Sequence, residues 1–307
     1  MPTFNFNPDK DIPDLAGKSI FITGGTNGLG AQSAVHLAKH NPAHIYISGR
    51  NSNAAEKVIQ QIRDSGSNTE TTFIECDLAS LASVKKAAEE FVSSAPQLDI
   101  LMCNAGIMAK PPALTTDGYE LQFGTNHLGH ALLIKKLLPL LEKRSSEGGD
   151  ARIVSLTSQG FMLHPKGGIV FDELKTVQDN FWAIGSWRRY GQSKLANLLY
   201  ARELSRRYPG ITSVAVHPGV VATDLVGGQT IFRKAFIHAS QFGNILKPEE
   251  GALNQVWAAT AAREKIENGS YYQPIGKLSQ ESLATTAKDD SLAKRLWEWT
   301  EEELKGY

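Results

Sequence analysis

The chain lacks most of what marks a secreted, metal-bound or membrane-embedded protein. Two cysteines in 307 residues, Cys76 and Cys103, are too few for a disulfide framework, and 8 histidines without cysteine clusters offer no zinc spacing. Neither charge is in excess: 32 Lys and Arg stand against 32 Asp and Glu. That balance removes the electrostatic reason to expect nucleic acid or an anionic membrane as partner. No window approaches the ~18 consecutive apolar residues of a transmembrane segment, and residues 1–10 lack the basic-then-apolar order of a secretory leader. The closing Leu304-Lys305-Gly306-Tyr307 fits no retention or prenylation signal. Internal repeats and Pro/Ser-rich linkers are missing as well. The expectation is a soluble, cytoplasmic enzyme or binding protein, long enough to bury a large core and read as one domain over residues 1–307.

What is present is a rhythm of short apolar runs, turns and amphipathic stretches. Residues 19–23, 44–48, 72–76, 98–103, 152–156, 212–216 and 269–273 read as strands, giving a sheet of about seven. Helical spacing follows at 29–39, 54–65, 81–92 and 193–207. Strands that are apolar on both faces and alternate with helices pair in parallel, because the crossovers cover the sheet on both sides. The predicted class is therefore α/β, a doubly wound, mostly parallel sheet flanked by helices, with ligands at the carboxyl ends of the strands. Two segments break the rhythm, 159–185 and 220–246. Both follow strands and so belong on the ligand edge.

Thr23-Gly24-Gly25-Thr26-Asn27-Gly28-Leu29-Gly30 lies between the first strand and the first helix. Backbone N–H groups at a helix N-terminus meet a pyrophosphate there, and glycine is needed where a Cβ blocks the phosphate or the strand–helix contact. A site for NAD usually places an acid at the end of the second strand to bond the ribose 2′-hydroxyl. This chain has Ser48-Gly49-Arg50-Asn51-Ser52 instead. A guanidinium at Arg50 forks a 2′-phosphate well, so the expected cofactor is NADP(H), with Asn51 beside it.

Tyr190-Gly191-Gln192-Ser193-Lys194 places a phenol and an ammonium four residues apart, on one face of a helix. A phenol alone, with a pKa near 10, is a poor proton donor or acceptor at neutral pH; a neighbouring cation lowers that value. At these residues the chain resembles the short-chain dehydrogenase/reductase family, a Rossmann-type fold, and within it the retinol dehydrogenase-like and WW-domain oxidoreductase-like branch. The resemblance is carried by Thr23 to Gly30, Asp77-Leu78, Asn104-Ala105-Gly106, Asn126-His127-Leu128-Gly129, Ser158, Tyr190 to Asn197 and His217-Pro218-Gly219. It implies that Tyr190 passes a proton to or from the substrate oxygen. Lys194 lowers the Tyr190 pKa and bonds the nicotinamide ribose, Ser158 holds the substrate oxygen, and Asn126 supports the lysine-linked relay. Asp77 and Leu78 contact adenine, Asn104, Ala105 and Gly106 flank its ribose, and Pro218, Gly219, Val221 and Thr223 seat the nicotinamide. Residues 13–223 form the cofactor-binding and catalytic core.

Strand alternation puts Ser155 and Thr157 on one face and Leu156 and Ser158 on the other; the family position is Ser158. The 31 residues between Ser158 and Tyr190 hold Phe161, Met162, Phe171, Phe181, Trp182 and Trp187. They read either as an aromatic wall for a bulky carbonyl substrate or as aromatics packed on the protein's own surface. Residues 231–239, apolar with Arg233-Lys234, read as a substrate lid or as a face for a membrane or lipid-droplet surface. His127, His130, His164 and His217 have no partner at metal-ligand spacing, so no metal is expected. Gly185-Ser186-Trp187-Arg188 lacks the glycine of a hydrolase elbow. The reading is an NADPH-dependent reductase of an apolar ketone or aldehyde, reversible as an alcohol dehydrogenase, acting on a small molecule without nucleic acid. Homo-oligomers are open by family analogy. Two rivals stand: an idle dinucleotide-binding sensor or scaffold, and a carbon–carbon double-bond reductase.

Overall fold

Alternation along one short strand explains the layering. In β1 (Ser19–Thr23) every residue is buried, with Phe21 facing one core and Ile20 and Ile22 the other. Phe21 stacks on Phe91 at 4.9 Å between ring centres. The computed structural model describes residues 6–181, 184–221 and 246–307. Within them run α1 (Gly28–Ala38), β2 (His44–Gly49), α2 (Ser52–Asp64), β3 (Glu70–Glu75), α3 (Leu81–Ser94), β4 (Ile100–Cys103) and α4 (Gly129–Ser146). The second half holds β5 (Arg152–Leu156), α5 (Gly185–Arg207), β6 (Thr212–Val216), α6 (Pro248–Thr260), β7 (Tyr271–Gln273), β8 (Lys277–Leu278) and α7 (Asp290–Glu303).

The sheet has 8 strands in the order β3-β2-β1-β4-β5-β6-β7-β8. All pairs are parallel, Ile20 lying opposite both Ile45 and Ile100, except the last, where Tyr272 meets Leu278 antiparallel. The α/β doubly wound fold expected from the sequence is present, with one strand more than the apolar runs indicated. Chain order reverses between β1 and β4, and such a switch point opens a crevice at the carboxyl ends of the strands. Apolar side chains of α3, α4, α5 and α7 fill the core on one face, and those of α1, α2 and α6 the core on the other. Each fully buried Ile or Phe of β1 contributes roughly 1.5–3 kcal/mol. α7 forms an outer layer on α5, Trp297 stacking on Tyr200 at 4.9 Å. Among the described residues no helix is long and apolar enough to cross a membrane.

Candidate active site

The glycine turn is shaped by close approach. Gly28 has φ +54°, a conformation that side chains resist. A Cβ on Gly30 would lie 2.3 Å from the Gly24 carbonyl oxygen and 2.5 Å from Asn104 Nδ2. Asn27 caps α1, its Oδ1 accepting from the Gly28 amide at 2.6 Å. Thr23 ties β1 to β4: its Oγ1 accepts from the amides of Asn104 and Ala105, both at 3.0 Å, and sits 2.8 Å from His130 Nε2. Asn104 Nδ2 donates to the Thr23 carbonyl at 2.8 Å, and its Oδ1 accepts from Gln255 of α6 at 3.0 Å.

Above this turn opens a cleft of about 640 Å³. It brings together Gly24, Thr26, Asn27, Gly28, Leu29, Arg50, Asp77, Leu78, Asn104, Ala105, Gly106, Tyr190, Lys194 and Pro218. Thr23 and Gly30 lie beneath it as framework. Asn51 caps α2 instead, accepting from the Ala54 amide at 3.0 Å. Gly219 packs against Leu246, and Val221 pairs with Leu246 and rests on Gly251. Thr223, Trp182 and residues 231–239 lie outside the described residues. A larger cavity of about 940 Å³ opens beside Lys18, Ile100 and Trp257, near the strand starts. Arg152 there is already engaged by Asp150 and the Ala258 and Ala261 carbonyls, and none of the sequence-predicted residues lines it.

At one end of the cleft Tyr190 is buried on α5, a helix that starts at Gly185, about two turns before the expected 193. Gly160 and Gly191 let the turn after β5 press on that helix: a Cβ on Gly160 would sit 2.9 Å from the Tyr190 ring and 3.3 Å from Ser158 Oγ. A Cβ on Gly191 would strike the Gly160 carbonyl at 2.7 Å. Ser158 Oγ also accepts from the Gly160 amide at 3.1 Å. Lys194 Nζ donates to the Leu156 carbonyl at 3.1 Å and lies 5.9 Å from the Tyr190 ring centre. Asn197 Nδ2 shares that carbonyl at 3.0 Å, and Thr157 Oγ1 donates to the Lys194 carbonyl at 2.6 Å. Asn126 sits in a π-turn over Gly124–Leu128. Its Oδ1 accepts from the Ile107 amide at 2.8 Å, and its Nδ2 donates to Ser193 Oγ at 2.9 Å. Motif reading missed Thr157, Ser193 and Asn197 as supports; Thr157 precedes Ser158 by one position, and Ser193 and Asn197 follow Tyr190 by three and seven, the only signal available.

The electrostatics of the tyrosine–lysine pair are governed first by burial. Burial pushes the Tyr190 phenol up to about 12, with the Ser158 hydrogen bond pulling the other way. Burial also pulls the Lys194 ammonium down to about 8. Desolvation therefore outweighs any charge effect of the lysine on the phenol here.

Residues 18–171 match the short chain dehydrogenase family, and the short-chain dehydrogenase/reductase drtF of Aspergillus calidoustus is 39% identical over 96% of this chain and 96% of its own. The chain belongs to the short-chain dehydrogenase family. Retinol dehydrogenase 13 of Homo sapiens is 34% identical, covering 92% of this chain and 83% of that protein, so this dehydrogenase falls in the retinol dehydrogenase-like branch. The structure of NADPH-bound carbonyl reductase from chicken fatty liver matches with a TM-score of 0.63 at 25% identity, over 86% of this chain and 99% of that one. The protein is an oxidoreductase that uses NAD(P) on a small-molecule substrate. Its cleft fits a dinucleotide: the floor is bare backbone at Gly24, Gly28 and Gly106, and a Cβ on Gly106 would reach to 3.3 Å from Lys194 Nζ.

The aromatic insert of the dehydrogenase divides between the two readings. Phe161 packs edge-on against Tyr271 at 5.7 Å and Phe171 lies against Trp299 and the Arg295 guanidinium, both within the protein's own core. Met162 is exposed. Trp187 meets Tyr190 edge-on at 6.2 Å, and with Met108, Ala109 and Val220 it forms a small apolar cluster around the tyrosine.

Proposed function

We propose that the dehydrogenase is an NADPH-dependent carbonyl reductase, reversible as an alcohol dehydrogenase, whose substrate is an apolar ketone or aldehyde. The observation that carries this is that Tyr190 and Lys194 line one glycine-floored cleft with Arg50, with Ser158 Oγ beside the Tyr190 ring across Gly160. The bound dinucleotide supplies the hydride. Tyr190 Oη gives its proton to the carbonyl oxygen, and Ser158 Oγ holds that oxygen by a hydrogen bond that strengthens as negative charge develops. Lys194, held by the Leu156 carbonyl, keeps positive charge behind the tyrosine and stabilises the phenolate left after proton transfer. Asn126 fixes the π-turn beside Lys194 through Ile107 and Ser193, which supports the proton relay.

The NADPH preference is supported by Arg50 at the cleft wall, by the lack of an acid in Ser48 to Ser52, and by the likeness to an NADPH-bound carbonyl reductase. An apolar substrate is supported by the Met108, Ala109, Trp187 and Val220 cluster at the tyrosine. Residues 13–223 serve as the cofactor-binding and catalytic core of one domain, with the described part of 159–185 on the substrate side; most of 220–246 lies outside the described residues. Consumption of NADPH and of NADH against a panel of aldehydes, ketones and enones tests the reading. Carbonyl turnover with NADPH is expected. Equal use of NADH removes the Arg50 argument, and turnover of enones alone replaces the carbonyl reading by double-bond reduction.

A further inference from the structure

The residue before Tyr190 is the arginine most deeply placed near the site. Arg189 and Glu120 form an ion pair 2% and 0% exposed, with Nε 3.4 Å from Oε1. Two charges taken out of water need good geometry and further hydrogen bonds to persist. Arg189 Nη1 donates to the Gln178 carbonyl at 2.9 Å and Nη2 to the Lys110 carbonyl at 3.1 Å. Each of those carbonyls belongs to, or directly follows, a non-glycine residue in the left-handed region: Gln178 at φ +48° and Ala109 at φ +50°. Neither is an Asn or Asp, the types that tolerate this conformation, as Asn41 does at φ +58°. Backbone held there persists only when its surroundings enforce it, and such strain gathers at functional sites.

The rest of the neighbourhood converges on the same guanidinium. Glu120 Oε2 accepts from the Phe123 amide at 2.7 Å, and the Glu120 amide donates to the Leu174 carbonyl at 2.8 Å. Gln192, two residues past Tyr190, donates to Gln178 Oε1 at 3.0 Å and accepts from the Val170 amide at 2.9 Å. The loop after β4, the insert after β5 and helix α5 thus meet at Arg189. What the first of these carries is Met108 and Ala109, packed on the Tyr190 ring.

We propose that Arg189, with Glu120 as its counter-charge, is a positioning residue that fixes the apolar wall of Met108 and Ala109 against Tyr190 and so sets the bulk of carbonyl substrate the site accepts. The proposal rests on the carbonyl-reductase reading above. Arg189 itself acts only through the wall. A lysine cannot replace it, because one ammonium does not span two carbonyls and a carboxylate as a planar fork does.

The test compares the wild type with Arg189→Met and with the double variant Arg189→Met/Glu120→Leu. The single change leaves a buried carboxylate unpaired and is expected to weaken the fold; removing both charges together spares it that penalty. In the double variant NADPH affinity is expected within twofold of wild type, since neither residue lines the dinucleotide cleft. The ratio of kcat/KM for decanal to that for propanal is expected to change at least fivefold. Hydrogen exchange in the peptides covering residues 107–112 and 174–181 is expected to speed at least tenfold. A double variant with the wild-type ratio and wild-type exchange overturns the proposal, leaving the pair as charge-balanced filling of the core. If the wild type turns over only ketones, a long and a short ketone replace the two aldehydes; if it turns over no carbonyl of the panel, the carbonyl reading fails, while the exchange rates still decide the clamp: unchanged exchange overturns it.

Discussion

Gly30→Ala is the sharpest perturbation of the cofactor floor. The added Cβ lies 2.3 Å from the Gly24 carbonyl oxygen, 2.8 Å from its carbon and 2.5 Å from Asn104 Nδ2. Carbon atoms rest at about 3.5–4.0 Å from their neighbours, so the start of α1 must move away from the turn by roughly 1 Å. Overpacking of this kind costs about 1–3 kcal/mol. The movement also strains Asn104, which bonds the Thr23 carbonyl at 2.8 Å and accepts from Gln255 at 3.0 Å. The amides that face the pyrophosphate shift with the helix, so most of the cost falls on binding. At about 1.4 kcal/mol per factor of ten, the Kd for NADPH should rise roughly 10- to 100-fold. Nucleotide fluorescence titration reads this directly, with circular dichroism confirming that the fold survives. A folded Gly30→Ala protein that binds NADPH as tightly as wild type refutes the reasoning about the floor.

Arg50 is exposed at the cleft wall, so its fork to a 2′-phosphate is placed at the lower end of the ~1.5–3 kcal/mol range for charged hydrogen bonds. Arg50→Ala should raise the KM for NADPH about tenfold and leave that for NADH alone; equal effects on both would remove the assignment. The Lys194 ammonium is present below about 8 and lost as the pH rises through it, so kcat/KM for reduction should fall by about tenfold per unit above that point. A profile flat from neutrality into the alkaline range contradicts this. Burial pulls His127 down to about 3 and His130 and His217 to about 4. The native state then binds fewer protons than the unfolded chain below the ordinary histidine value, and stability present above it is lost on acidification, by about 1.4 kcal/mol per unit for each group. Thermal unfolding should show Tm falling steeply between about pH 6 and pH 4.5, and an unchanged Tm over that interval would exclude these buried neutral imidazoles.

Much of the site was legible because it depends on local pattern. Residues 19–30 carry a strand buried on both faces, a glycine turn and a helix start in one stretch. Tyr190 and Lys194 share a helix face by spacing alone. What was illegible depends on contacts between distant segments. Thr23 and Asn104 are engaged in joining β1, β4 and α6 rather than standing as free groups in the cleft, and nothing in their neighbours announces that. Helix α4 escaped notice because it opens on Gly129, contains Pro139 and is apolar around most of its circumference, where it lies between sheet and neighbours. Strand β8 is two exposed residues, with no apolar run to mark it. Phe161, Phe171 and Trp187 are alike as residue types, yet the first two fill the core and the third meets Tyr190; composition does not separate pocket from core.

The central claim is that Tyr190 delivers the proton while the rest of the cleft binds the dinucleotide. Tyr190→Phe removes the hydroxyl and keeps the ring that packs on Met108 and Trp187. Stopped-flow measurement on this variant, with NADPH and the best carbonyl substrate of the wild type, reads binding and turnover in one experiment. The account predicts NADPH affinity within about threefold of wild type and a reduction rate lower by about 10²–10⁴. A variant that reduces the carbonyl at the wild-type rate would contradict it.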